Sequence, residues 1–299
     1  MFARVARRLK HEASSLTDRI VRQSLPGQAA TMQHLGHLFP YEDQANSYTL
    51  PAYPGSDPIP PLPLWASYCT TPESYLQSGR DDAATMTQIL AASGWTIADS
   101  GRILDLGVAG GRMIRHLKDL TPRVELWGVD IWAAAILWCQ EHLSFANFAT
   151  TTVNPHLPFE DRSFGLIYAG SLWTHLDDLA DAWFLECHRL LRPGGRLYFS
   201  INDRSAVKVF QGGGKDRARY LERIRPDNWA HWIRLLDGHE GYQRFAKGEA
   251  QMVTMGRSTA SHVMWDADYL LKKLTYGWKC CSVTPEGYGH QTVILLERR

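Results

Sequence analysis

Short apolar runs alternate with amphipathic stretches through the middle of this chain. Residues 102–106 (RILDL), 124–129 (VELWGV), 148–153 (FATTTV), 165–170 (GLIYAG) and 196–201 (RLYFSI) are such runs. Segments this short and rich in branched side chains predict strands buried on both faces. Between them, residues 113–120, 132–143 (WAAAILWCQEHL) and 178–191 carry helical spacing. An earlier helix is predicted over 81–92 (DDAATMTQILAA), with acids at its amino end and Gly94 near its stop. Repeated strand–helix units predict a parallel sheet with right-handed crossovers. Residues 279–284 and 291–297 are two further strands, joined by a hairpin-length loop from Pro285 to His290.

The amino-terminal part has a different pattern. Phe2, Val5, Leu9, Leu16 and Ile20 fall near helical spacing among basic residues. That suits a membrane-surface or partner-binding helix, or a solvated helix lying on the domain. From residue 26 to 63 the prolines crowd together, with Pro51, Pro54, Pro58, Pro60, Pro61 and Pro63 closing the stretch. Such density forbids a helix and favours an extended arm over the main domain, where Tyr41, Tyr48 and Tyr53 have surface to bury.

Composition narrows the choices. A chain of 299 residues, 44% hydrophobic, is ample for one α/β core with extensions. A net charge of +1 gives no electrostatic reason to expect a nucleic-acid partner. Cys69, Cys139, Cys187, Cys280 and Cys281 show no metal spacing, so reduced thiols, no metal site and a cytoplasmic location are expected. No apolar run approaches the roughly 18–20 residues of a membrane span, and the first residues lack the apolar stretch of a secretory signal.

The chemistry centres on residues 102–112, RILDLGVAGGR, a strand running into a glycine-rich turn. Gly107, Gly110 and Gly111 permit a tight turn that brings peptide N–H groups against a ligand. The dinucleotide fingerprint G-x-G-x-x-G/A is not met, since Ala109 stands second and Arg112 third. Asp105, just before the first glycine, repels phosphate and suits a ligand with a positive amino group. Asp130 ends the next strand 23 residues after Gly107, near the roughly 20 expected of a ribose-binding acid. It equally suits a cap for the helix that follows.

The stretch resembles the first motif of class I S-adenosylmethionine-dependent methyltransferases, an acid-x-Gly-x-Gly-x-Gly pattern that Asp105, Gly107 and Gly111 match and Ala109 modifies. Further on, LPFEDRSFGLIYAG and LLRPGGRLYFS are similar to the later motifs of the type 11 members, in the same order and spacing. The resemblance implies a Rossmann-like, doubly wound, seven-stranded and mostly parallel sheet with a reversed last strand. It divides the chain into a helix and arm (1–79) and a methyltransferase domain (80–299) with an inserted substrate lid at 202–260.

The resemblance also implies S-adenosyl-L-methionine as cofactor and a set of residues to hold it. Asp105, Gly107, Ala109 and Gly111 form the loop, Asp130 takes the ribose, and Ile131 or Trp132 covers an adenine face. Asn154, or a backbone carbonyl nearby, replaces the acid that often holds the adenine amino group, and Ala169 ends the fourth strand beside the cofactor. The segment before the first core helix closes over the cofactor in relatives, which points to Tyr75, Gly79 and Arg80. Arg80 either pairs with the methionine carboxylate or is solvated beside Asp81 and Asp82. Tyr68, Tyr75 and Tyr168 are aromatic candidates for the sulfonium.

His175, five residues past the fourth strand, is the candidate general base, with a loop-orienting role as the alternative. In the lid, Tyr220, Arg223, Arg225, Trp229, His231, Trp232, Arg234 and Tyr242 mix rings and cations. That suits O-methylation of a polar small molecule, a sugar or a glycosylated metabolite, or else a lid helix packing on the sheet. Two other classes stay open: a non-catalytic cofactor-binding module of the same fold, and a nucleotide-sugar or NAD-linked enzyme with phosphate donors at the loop.

Overall fold

The computed structural model describes residues 58–66, 68–212, 233–234, 236–256 and 261–299. The expected amino-terminal helix, most of the arm, and Tyr220, Arg223, Arg225, Trp229, His231 and Trp232 of the lid lie outside the described residues.

The predicted strands form. In chain order they are β1 (Arg102–Leu106), β2 (Glu125–Asp130), β3 (Asn147–Thr150), β4 (Phe164–Ala169) and β5 (Leu191–Ile201), followed by β6 (Met252–Met255), β7 (His262–Trp265), β8 (Trp278–Tyr288) and β9 (Gln291–Arg298). Seven of them make one sheet in the order β3-β2-β1-β4-β5-β9-β8. β1 to β5 pair in parallel, while β9 runs antiparallel to both β5 and β8. The expected sheet with a reversed final strand is therefore present. Strand order reverses between β1 and β4, and in open α/β sheets the crevice at that point takes the ligand.

Helices cover both faces: α1 (Pro72–Ala92), α2 (Ala133–His142), α3 (Ala180–Leu190), α4 (Arg204–Phe210), α5 (Glu240–Ala246) and α6 (Ala267–Lys273). Strand alternation sends Ile103, Leu126, Leu166 and Leu295 to one core with Met86 and Leu90 of α1 and Ile136 of α2. Leu104, Ile167, Leu197 and Ile294 go to the opposite core with Trp183 and Phe184 of α3 and Leu270 of α6. A third cluster packs Phe210, Leu236, Tyr242 and Phe245, from the stretch expected as a lid, against Met264 of β7.

Four elements differ from the pattern-based expectation. α1 is one 21-residue helix and crosses the boundary expected at residues 79 and 80. Its start is fixed by a capping box, in which Thr71 Oγ1 accepts from Ser74 N at 3.2 Å and Ser74 Oγ accepts from Thr71 N at 3.2 Å. Gly79 is tolerated inside it because a Cβ there would stand 2.1 Å from the carbonyl oxygen of Arg112. After the glycine loop, Ile114–Leu120 is a 3-10 helix rather than an α-helix. The Arg115 guanidinium donates to the Gly110 and Gly111 carbonyls, so Arg115 N reaches Gly111 O only at 3.4 Å.

The turn expected at residues 192–195 is an outward irregularity within β5, between the pairs Phe164–Leu191 and Leu166–Arg196. The carboxyl-terminal hairpin turns on Gly289 and His290 alone, since β8 carries Pro285 at a register shift between Thr284 and Tyr288. An unexpected two-stranded ribbon, β6 antiparallel to β7, spans the end of the stretch expected as a lid.

Candidate functional site

The glycine loop is built on alternate left-handed residues: Gly107 at φ 87°, Ala109 at 45° and Gly111 at 73°. Alanine in the middle place adopts the conformation that glycine would, at a cost of roughly 1–2 kcal/mol. That cost is offset by Asp130, whose Oδ2 accepts from Ala109 N at 2.7 Å. Three further loop donors have partners. Gly107 N and Val108 N donate to Val129 O at 2.9 and 3.1 Å, and Gly111 N donates to Val108 O at 2.9 Å. For Gly107, Val108, Ala109 and Gly111 the expectation of peptide N–H groups turned toward a ligand is thus corrected. A pyrophosphate needs several such donors, and these four are satisfied within the protein.

Two carboxylates flank the loop instead. Asp130 Oδ1 accepts from Trp132 N at 2.9 Å, so Asp130 caps the approach to α2 as well as holding the loop. Each of its oxygens has a second lone pair, the acceptor capacity that a vicinal diol requires. Asp105 is buried, and its Oδ2 accepts from Tyr168 Oη at 2.8 Å. Burial pushes its carboxyl up to about 7, and the Asp130 charge adds to this; the Tyr168 hydrogen bond and Arg112 oppose it. A cation placed beside Asp105 therefore gains a carboxylate that would otherwise be half protonated near neutrality. This acidic donor set fits S-adenosylmethionine, with its amino and sulfonium charges and its ribose diol, and does not fit a dinucleotide.

Beneath the loop lies a residue whose role sequence reading missed. Arg112 turns into the interior, 2.7 Å from Asp82, and donates to Tyr288 Oη at 2.5 Å and Ser78 Oγ at 3.1 Å. Its guanidinium carbon stands 4.3 Å from the centre of the Tyr68 ring. Arg112 and Asp82 are both buried, so each depends on the other for its charge. The available signal was an acid on the apolar face of a predicted helix and an arginine where a small residue was expected. Arg115 acts likewise on the outer side. It donates to Gly111 O at 3.0 Å and to Pro58 O at 2.7 Å, tying the end of the proline-rich arm to the loop.

The remaining expected cofactor residues divide. Tyr75 is buried behind the loop, stacked on Trp65 at 4.8 Å and donating to Gly110 O at 3.2 Å, so it supports the loop rather than lining the crevice. Burial pushes its phenol well up. Arg80 is exposed on α1 on the side of His116, which burial, Arg115 and Arg80 together push down to about 4. Of the two arginines, Arg112 is the one whose charge acts on Asp105. Ile131 is half-buried directly after Asp130. Asn154 is exposed in a turn where its main chain bonds Thr152 Oγ1 and His156 N. Ala169 is fully buried in the α3-side core, which leaves only its backbone at the crevice.

At the end of β4 and β5 the groups are arranged differently. Ser171 N donates to Ser200 Oγ at 2.7 Å, Ser200 Oγ to Gln291 Oε1 at 2.7 Å, and Gln291 Nε2 to Ser171 Oγ at 2.8 Å, closing a ring. His175 is half-buried, and its Nδ1 lies 2.7 Å from Ser261 O. A carbonyl only accepts, so Nδ1 carries the proton and Nε2 is left as an acceptor. Burial holds the ring below the usual histidine range, hence neutral at pH 7. The His262 ring stands 5.4 Å away. Among the described residues no cluster of His, Cys, Asp and Glu could hold a metal ion, and no helix is long and apolar enough to cross a membrane.

The profile of a methyltransferase domain matches residues 104–199, from the middle of β1 to the end of β5. Over 125 residues the chain is 32% identical to a malonyl-[acyl-carrier protein] O-methyltransferase of Hahella chejuensis, covering 41% of this chain and 44% of that one. Over 96 residues it is 30% identical to the demethylmenaquinone methyltransferase of Thermotoga maritima, covering 32% and 41%. The match spans less than half the length of these curated relatives. A solved S-adenosylmethionine-dependent methyltransferase from Clostridium acetobutylicum superposes with a TM-score of 0.49 at 13% identity, over 73% of this chain and 91% of that one. The motifs and the reversed-strand sheet thus agree with the profile match, and residues 104–199 carry a methyltransferase domain.

Proposed function

We propose that the protein transfers a methyl group from S-adenosylmethionine to an oxygen of a polar small molecule. The observation that carries this reading is the loop itself. The N–H groups of Gly107, Val108, Ala109 and Gly111 are satisfied internally, and Asp105 and Asp130 flank the loop with carboxylates suited to a cationic, diol-bearing ligand. When bound, the cofactor supplies an electrophilic methyl carbon. The chain's part is to bind and orient, with Asp130 at the ribose hydroxyls and Asp105 at the amino group. His175 receives the proton of the attacking hydroxyl at Nε2, the role its tautomer and neutral state allow. The relatives named as O-methyltransferases support an oxygen acceptor.

A sugar as acceptor has less support. Of the lid rings and cations, Tyr242 is buried in the lid's own core and cannot stack on a sugar, while Arg234 is exposed. The test is incubation with isotope-labelled S-adenosylmethionine and fractionated polar metabolites, read by mass spectrometry. A metabolite that gains one labelled methyl on oxygen supports the proposal. Tight S-adenosylhomocysteine binding with no methylated product would leave the non-catalytic module of the same fold.

A further inference from the structure

Asn202 is 0% exposed, and among the described residues neither Nδ2 nor Oδ1 of its side chain has a hydrogen-bond partner. Buried amides are almost always paired, so an unpaired one has a ligand or a trapped water as its natural counterpart. The residue follows β5 directly, at the carboxyl edge of the sheet. Alternation puts it on the face of Tyr198 and Ser200, and Ser200 belongs to the polar ring with Ser171 and Gln291. β7 is laced to this edge at both ends. Trp265 N donates to Asn202 O at 2.9 Å, and Val263 N donates to Thr174 O at 2.7 Å, beside His175. The main chain of Asn202 is thus occupied in holding the ribbon, while its carboxamide is not.

We propose that Asn202 is a specificity-determining residue for the methyl acceptor, receiving a neutral group that presents a hydrogen-bond donor and a carbonyl side by side, such as an amide, lactam or hydroxy-carbonyl. This rests on the methyl-transfer reading. A carboxamide offers N–H donors and one carbonyl acceptor, and only a partner with both satisfies it. A carboxylate accepts only, and would set its oxygen against Asn202 Oδ1. The Asp203 carboxylate on the next residue, which accepts from Ser205 N at 2.9 Å, adds to the repulsion. Arg204, the neighbouring cation, is held by Asp266 at 2.8 Å.

The test uses full-length protein saturated with S-adenosylhomocysteine and labelled with ¹⁵N-asparagine. The Asn202 side-chain signal, assigned by its loss in Asn202→Leu, is followed while 2-pyrrolidinone or acetate is titrated. A saturable shift with 2-pyrrolidinone, at least about tenfold tighter than with acetate, is expected. Equal or tighter acetate binding overturns the proposal, and so does the absence of a shift with either, which assigns the amide to a trapped water. Asn202→Leu should keep S-adenosylhomocysteine affinity and hold or raise the thermal midpoint, because it removes an unpaired buried amide. A midpoint several degrees lower, or a variant that does not fold, also overturns it by showing a structural partner. Failure of wild-type protein to bind S-adenosylhomocysteine sinks the methyl-transfer reading separately.

Discussion

The glycine loop and the edge at the ends of β4 and β5 face one switch point in the sheet and treat their polar groups in opposite ways. At the loop, Ala109 N is held by Asp130, Arg112 by Asp82 and Tyr288, and the Gly110 and Gly111 carbonyls by Tyr75 and Arg115. At the other edge, His175 has an acceptor nitrogen to offer, and Asn202 has a whole carboxamide without partner. A loop that binds an invariant cofactor can be locked in advance, because what it must match does not vary. On the proposed reading, the acceptor side keeps groups unpaired among the described residues for the molecule that distinguishes one methyltransferase from another. Preorganisation belongs to the first side and specificity to the second.

The sharpest way to break this contrast is to unlock the loop. Arg112→Met removes the ion-pair partner 2.7 Å from the buried Asp82 carboxylate and should cost about 3–5 kcal/mol in denaturant unfolding. Adding Asp82→Leu should recover much of the loss. If the single variant is as stable as wild type, the pair does not hold the loop. Next in size is His175→Gln, expected to lower turnover by about 10²–10⁴-fold while S-adenosylhomocysteine affinity stays unchanged. Normal turnover would remove His175 from the chemistry, and lost cofactor affinity would make it a positioning residue.

Asp130→Ala removes hydrogen bonds to a charged group, each worth about 1.5–3 kcal/mol, and should weaken S-adenosylhomocysteine roughly tenfold to several hundredfold. Because Asp130 also holds Ala109 N and Trp132 N, the loss includes some loosening of the loop. Unchanged affinity would leave Asp130 as a cap alone.

The smallest expected effect is on pH. With Asp105 raised from the ordinary carboxylate value of 3.8 to about 7, the folded protein keeps a proton that the unfolded chain releases between them. Ligand-free stability should therefore fall as pH rises from about 4 to 7. Binding of a ligand ammonium favours the ionised acid, so affinity should rise with pH through about 7 and be accompanied by proton release. Calorimetry in buffers of different ionisation enthalpy reads that release, and its absence at pH 6 would show that Asp105 is already ionised.

The sheet was legible because its strands are short apolar runs punctuated by glycine, and the reversed hairpin followed from the family motifs. What escaped was decided by tertiary contact. Pro285, Glu286 and Gly287 have loop chemistry, yet pairing with β9 keeps them in β8 at an irregularity. Arg112 stood only as a departure from the glycine fingerprint, because Asp82 is thirty residues away in sequence and only folding brings them together. Asp105 and Asp130 could be placed from spacing alone, since each ends a strand beside the loop. Tyr75 and Arg80 could not, because one helix carries both and only its packing decides that Tyr75 faces inward and Arg80 outward. Asn202 gave no signal, since an unpaired amide is visible only once every neighbour is in place.

Calorimetry of the full-length protein with S-adenosylhomocysteine and with NAD, read beside the thermal midpoint, bears most directly on the loop as a cationic-nucleoside site. S-adenosylhomocysteine should bind and, at about 100 times its dissociation constant, add roughly 2.7 kcal/mol of stability, while NAD should leave the midpoint where it was. Binding of NAD without binding of S-adenosylhomocysteine would contradict it.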